Sequence, residues 1–169
     1  MATLLSVREL TSQPLPPVGP DDHVRGRGPE AIVYLDLACP RCALAWIRIR
    51  ELPLRLALRH FPIASKHPRA PALHAAVEAA GLQGRFVEMW DSLLTDQPHQ
   101  DDPHLWARAE DLALDLELFD RDRRSEPVAE RVRRDFESGI RAGIAGTPAA
   151  FVGGHPVEGD IAESLSGLG

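Results

Sequence analysis

Cysteine is nearly missing from this chain: two occur in 169 residues, Cys39 and Cys42, with Pro40 and Arg41 between them. No further thiol is available for a disulfide framework or for a four-cysteine zinc site. An excess of positive charge is also missing. The formal net charge is −6, which argues against nucleic acid as a partner, because a phosphate backbone requires a basic face. No uninterrupted apolar run is long enough to cross a bilayer; Arg48, Arg50, Arg55 and Arg59 break up the best candidate. The opening stretch MATLLSVRELTSQPLPPVGP has no basic n-region, and Arg8 and Glu9 interrupt its short apolar part. It does not read as a secretory signal, so the expected location is cytoplasmic, where thiols are held reduced and a purely structural disulfide is disfavoured. There are no internal repeats, and the one biased tract is rich in proline.

With 44% apolar and 26% charged residues, the composition is that of a globular protein, and the length suits one domain with its own core. Residues 1–29 carry Pro14, Pro16, Pro17, Pro20 and Pro29 with several glycines, and read as an extended arm. The domain proper is expected over 30–169. AIVYLDL (31–37) is a β-branched and aromatic run suited to a strand buried on both faces. ALAWIRIREL can be helical until Pro53, and LRLALRHF (54–61) alternates as a second strand. From about 68 to 143 the pattern is helical throughout, ending in a long segment where Val128, Val132, Phe136 and Ile140 recur at i+4 steps. TPAAFVGGHPVEG then reads as a hairpin turning at Gly153-Gly154, before a short final helix. This order predicts an α/β fold: one mixed sheet, helices on its faces, and an inserted helical subdomain over about 68–143.

The cysteine pair is where chemistry is expected. Cys39 follows a strand and stands where a helix begins, so free backbone N–H groups and the helix dipole should favour its thiolate. Pro40 suits a first helical turn, and Arg41 adds positive charge. Cys42 lies one helical turn on, at a separation compatible with a disulfide. Three readings are open: part of a metal site, an inert buried pair, or a redox centre. The histidines show no H-x3-H pairing beside the motif, and C-x-x-C at a strand-to-helix junction favours the redox reading. Cys39 would attack and Cys42 would resolve. Elsewhere, Thr147-Pro148 precedes a strand, either as an ordinary turn or as a candidate cis bond. His60 and His67 read as packing or capping residues, and Trp46, Trp90 and Trp106 as core or interface. The run RDRRSEPVAERVRRDFE reads as a solvated face.

The segments YLDLACPRC, LRHFPI, AAVEAAGLQGRFVEMWDSLL and FESGIRAGIAGTPAAFVGG together resemble the DsbA-like thioredoxin-fold proteins. The likeness is greatest to domains found alone or fused to bacterial sodium/proton antiporters. It implies a thioredoxin fold with a helical insertion. It also implies a cis-Pro148 packed against the C-P-R-C loop, with Thr147 presenting backbone groups to a bound polypeptide. Two positions depart from the family: Val33 and Ala38 stand where many relatives carry acidic residues. Asp36 remains, on the opposite face from Val33 by strand alternation.

The expectation is therefore a cytoplasmic thiol–disulfide oxidoreductase without a bound cofactor or metal, resting as the dithiol. Its partners would be a polypeptide or small-molecule disulfide or dithiol and a separate redox partner, with no nucleic acid and no membrane insertion. The competing class is a thioredoxin-like binding or redox-sensing module with little turnover, which Val33 and Ala38 favour.

Overall fold

The computed structural model describes residues 14–169; residues 1–13 of the expected arm lie outside the described residues. The described strands form a mixed sheet of five in the order β1-β3-β2-β4-β5. They are β1 (His23–Arg25), β2 (Glu30–Leu35), β3 (Arg55–His60), β4 (Ala149–Val152) and β5 (His155–Pro156). β2 and β3 run parallel, so the chain between them must cross over; helix α1 (Pro40–Ile49) makes that crossover. β2 is buried on both faces, as its continuous apolar run predicts. Ala31, Val33 and Leu35 enter the larger core, whereas Ile32 and Tyr34 enter a smaller one with Phe61, Ile144 and Phe151.

The arm departs from the sequence reading at its C-terminal end. His23–Arg25 form a short edge strand, with Val24 opposite Ala57 on β3. Three residues between prolines and Gly26 are too few to show a period. A charged anchor holds the segment in place: Arg59 donates through Nε to Asp22 Oδ1 at 2.8 Å and through Nη2 to the Pro17 carbonyl at 3.1 Å. Leu15 and Val18 thereby cover the smaller core.

Between β3 and β4 the chain is helical: α2 (Ala70–Gly81), α3 (Phe86–Thr95), α4 (Asp102–Asp111), α5 (Leu116–Asp122) and α6 (Glu126–Arg141). The α3 stripe Phe86, Met89, Trp90, Leu93 and Leu94 is buried as its spacing predicts. Asp101 caps α4 by accepting the His104 N–H at 3.0 Å. On α6 the stripe drifts. Val128 and Val132 are buried and Phe136 packs on Phe61, but Ile140 is 46% exposed. Gly139 faces the Phe61 ring instead. Trp46 and Trp90 meet edge to face in the core, whereas Trp106 lies at the surface and is no core residue. The mixed-charge run is not wholly solvated either: Asp135 is buried and accepts the His60 N–H at 3.1 Å. The β4–β5 hairpin turns through Gly153 and Gly154 at φ of 57° and 80°, a turn open to glycine because both residues have positive φ. Helix α7 (Ile161–Ser166) follows, capped by Asp160.

Candidate active site

The end of β2 carries the chain directly into α1, and Cys39 is the residue between them. Its backbone is extended (φ −88°, ψ 119°), the conformation of a helix N-cap, and Pro40 occupies the first helical position. Pro40 has no N–H, so the first free donors of the helix belong to Arg41 and Cys42. The Cys39 thiol is held down to about 5 by the hydrogen bond from the Cys42 thiol, against the opposing effect of burial, with help from the backbone N–H groups of Cys42 and Arg41 and, least, from the nearby His67 side chain. Arg41 is exposed and its backbone N–H favours the Cys39 thiolate; His67, on the loop after β3, also lies near the thiol.

Cys42 behaves in the opposite way. It is fully buried, and burial pushes its thiol well above the ordinary cysteine value, as does its hydrogen bond to Cys39. The Thr147 side chain and the Asp36 backbone N–H, 3.4 Å from Cys42 Sγ, work in the other direction. Both cysteines are free. Thr147 is thus brought to the dithiol from the far side of the chain, and the Thr147–Pro148 peptide bond is cis.

The loop before Cys39 is tightly held. Cys39 N–H donates to the Asp36 carbonyl, and the Asp36 carboxylate accepts the Ala38 N–H and the Ile63 N–H, each at 2.9 Å. Gln97 and Gln100 both donate to the Leu37 carbonyl at 2.9 Å, so the loop after α3 borders the site. Burial raises the Asp36 carboxyl, but His74 and the two backbone donors outweigh it and leave the group below its ordinary range.

Beneath this loop lies a polar cluster that local sequence patterns do not reveal. Leu37 N–H donates to His74 Nε2 at 3.1 Å, His74 Nδ1 and His60 Nδ1 lie 2.7 Å apart, and His60 Nε2 lies 2.7 Å from Glu78 Oε1. His23 Nε2 reaches the same carboxylate oxygen at 2.8 Å. Burial presses His74 down to about 4, so it is neutral. Burial works to raise Glu78, but its hydrogen bonds with His23 and His60 prevail and keep it ionised. Among the described residues, no group of three or more His, Cys, Asp or Glu side chains is arranged to hold a metal ion.

An extended N-cap cysteine with a buried partner three residues on, between a strand and a crossover helix, is the site to set beside known families. The family model described as the DSBA-like thioredoxin domain matches residues 31–166. The chain belongs to that family.

Among curated relatives, the Na(+)/H(+) antiporter NhaA 1 of Salinispora arenicola is 38% identical over 96% of this chain but only 26% of its own length. The Na(+)/H(+) antiporter NhaA of Herminiimonas arsenicoxydans is 38% identical over 85% of this chain and 24% of its own. The chain therefore spans about a quarter of the length of these relatives. Among solved structures, a thioredoxin-like oxidoreductase from Silicibacter pomeroyi superposes with a TM-score of 0.78 at 22% identity, over 89% of this chain and 91% of that one. Oxidised BdbD from Bacillus subtilis gives 0.74 at 16% identity, over 94% and 97%. These likenesses establish the DSBA-like thioredoxin fold. Within it, Val33 is an apolar core residue here, and Ala38 donates its N–H to Asp36. No described helix is long and apolar enough to cross a membrane.

Proposed function

We propose that this chain is a thiol–disulfide oxidoreductase in which Cys39 is the nucleophile and Cys42 the resolving thiol. The observation that carries this reading is the asymmetry of the pair: a thiol held down to about 5 at a helix N-terminus, beside a buried thiol pushed up. The Cys39 thiolate attacks a substrate disulfide, forming a mixed disulfide and releasing one substrate thiolate. Cys42 then attacks Cys39, forming the internal disulfide and releasing the second substrate sulfur. A separate dithiol partner restores the reduced pair, and the electrons need no bound cofactor. Thr147, whose side chain reaches Cys42, and Pro148 next to it would receive the substrate backbone. Residues 30–169 would form the catalytic domain, with the helices over about 68–143 walling one side of the site.

A cytoplasmic setting fits this cycle. In a reducing compartment the resting form is the dithiol, and the net direction is reduction of an oxidised polypeptide or small-molecule disulfide. A second reading, a binding or redox-sensing module with little turnover, is favoured by the antiporter-named relatives, of which the matching part is a quarter. Insulin reduction in dithiothreitol separates the two readings. The oxidoreductase accelerates precipitation of the insulin B chain and loses that ability in Cys39→Ser. A wild-type protein no faster than the uncatalysed control would leave the binding module as the better account.

A further inference from the structure

The rim of the dithiol is charged against the rest of the molecule. The chain carries a formal net charge of −6, and most of its cations are neutralised in place. Among the described residues, every arginine and lysine is ion-paired with a carboxylate except Arg25, Arg27, Arg41 and Lys66. Arg25 lies over the Trp46 ring instead, 5.3 Å from its centroid. It stands opposite Leu56, near the start of β3, and the glycines on either side of Arg27 pack on the Pro53 and Leu54 carbonyls. Both arginines therefore belong to the end of the sheet away from Cys39, which follows the far end of β2. The other two unpaired cations stand at Cys39 itself.

Arg41 is two residues on from Cys39, exposed in the first turn of α1. Lys66 is exposed on the turn after β3, next to His67, which lies near the Cys39 thiol. That turn is tied to the Cys39 loop. The Lys66 and His67 N–H groups both donate to the Ile63 carbonyl at 2.9 Å, and the Ile63 N–H donates to Asp36 Oδ2 at 2.9 Å. The Asp36 carbonyl in turn accepts the Cys39 N–H at 3.1 Å. The carboxylates bordering the site are already occupied. Asp36 is buried and accepts two backbone N–H groups, and on the loop after α3 Asp96 pairs with Arg108 and Asp101 takes the His104 N–H. Nor do the two cationic side chains account for the acidity of Cys39, whose foremost cause is the Cys42 thiol.

We propose that Arg41 and Lys66 select the substrate, and that the disulfide this site reduces carries carboxylates beside its sulfurs. This rests on the oxidoreductase reading above. A thiolate repels such a disulfide, and so does a molecule of net negative charge. Two unpaired cations flanking the thiol reverse the local field and draw the anion to the place where it can react. The Cys39 thiolate bonds to one substrate sulfur as the substrate S–S bond breaks, and the other half departs as a thiolate with the electron pair. Cys42 then bonds to Cys39, and the second half leaves with its electron pair and the proton that Cys42 gives up. The protein pair is oxidised by two electrons, and the substrate is reduced to two thiols. Arg41 and Lys66 take no part in the bond changes; they hold the carboxylates.

The test uses the full chain at neutral pH and follows loss of its thiols by acid-quenched mass spectrometry. The probes are oxidised glutathione and the same disulfide with its glycine carboxylates esterified, which differ in charge and not at the sulfurs. The ratio of the two rates cancels any change in the thiolate fraction of Cys39. At low ionic strength the wild type should favour the acid over the ester by about fivefold. Arg41→Gln and Lys66→Gln should each cut that ratio about twofold and together abolish the preference, as should about 1 M salt, where the Debye length is ~3 Å. Arg27→Gln, which removes an unpaired cation at the far end of the sheet, should leave the ratio at its wild-type value. A second pair, a disulfide-bridged peptide with glutamates beside its cysteines and its glutamine counterpart, separates the sources. Preference for the acidic peptide extends the selection to polypeptides, and equal rates confine it to small disulfides. A wild type that consumes the acid no faster than the ester would overturn the selection, and so would a ratio unchanged in the double variant or lowered as much by Arg27→Gln. A wild type that reacts with none of the probes overturns the oxidoreductase reading itself; one that reacts with all of them without regard to charge overturns the selection alone.

Discussion

Acid should loosen this fold well before the carboxylates titrate, and His74 is the reason. The ring is completely buried, and burial lowers it from the ordinary 6.5 to about 4. Below about pH 6.5 the unfolded chain therefore binds a proton that the folded chain refuses, so stability falls with pH until about pH 4, where both states are protonated. Each unit of difference corresponds to about 1.36 kcal/mol. From 6.5 down to about pH 5 is about one and a half units, or about 2 kcal/mol; the whole window amounts to about 3 kcal/mol. Glu78 has the opposite sign of charge but the same direction of effect. It is held below its ordinary 4.5, so its contribution is intact above that value and is lost as pH falls below it, steepening the decline. Urea unfolding at about pH 7, 6 and 5, on wild type and on His74→Gln, isolates the histidine. The variant can keep an acceptor for the Leu37 N–H but cannot titrate. Wild type should lose about 2 kcal/mol more than the variant between pH 7 and 5. Parallel curves for the two proteins would refute the assignment of a neutral buried His74.

Other outcomes follow from the same geometry. Because the Cys42 thiol is the foremost cause of Cys39 acidity, Cys42→Ala should raise the Cys39 value from about 5 toward the ordinary 9.0, whereas Cys42→Ser, which keeps a donor, should raise it less. The pH dependence of iodoacetamide alkylation reads both. Gly139→Ala would place a Cβ 2.7 and 2.8 Å from two Phe61 ring carbons, and Phe61 is itself wedged against Phe136. It should lower stability by about 1–3 kcal/mol in urea while leaving Cys39 alkylation unchanged.

The parts legible in the sequence were those whose signal is local. β2 and β3 announced themselves by burial and alternation, α3 by a stripe of five large apolar residues, the hairpin by its paired glycines, and the dithiol by its position at a strand-to-helix junction. What stayed hidden depends on contacts between distant residues. His74 and Glu78 share one face of α2 at an i+4 step, but His23, Asp36 and His60 come from other elements, and no spacing rule brings them to that face. Glu78 looks like a solvent-facing residue of an alanine-rich helix, and Asp135 like one charge among many on α6; the sheet and α6 turn both inward. β1 was too short to carry a pattern, and its place in the sheet rests on the Asp22–Arg59 anchor. Arg41 is legible beside Cys39 in the motif, whereas His67, twenty-eight positions from Cys39 in sequence, comes close to the thiol only once β3 lies beside β2.

The central claim, that Cys39 attacks and Cys42 resolves, is tested most directly by trapping. Cys42→Ser incubated with oxidised glutathione at about pH 7 should accumulate a single glutathione adduct that peptide mapping places on Cys39. Cys39→Ser, left with only the buried and weakly acidic thiol, should accumulate none over the same time. Adducts on Cys42 at a comparable rate, or none on either variant, would contradict the division of labour drawn from this site.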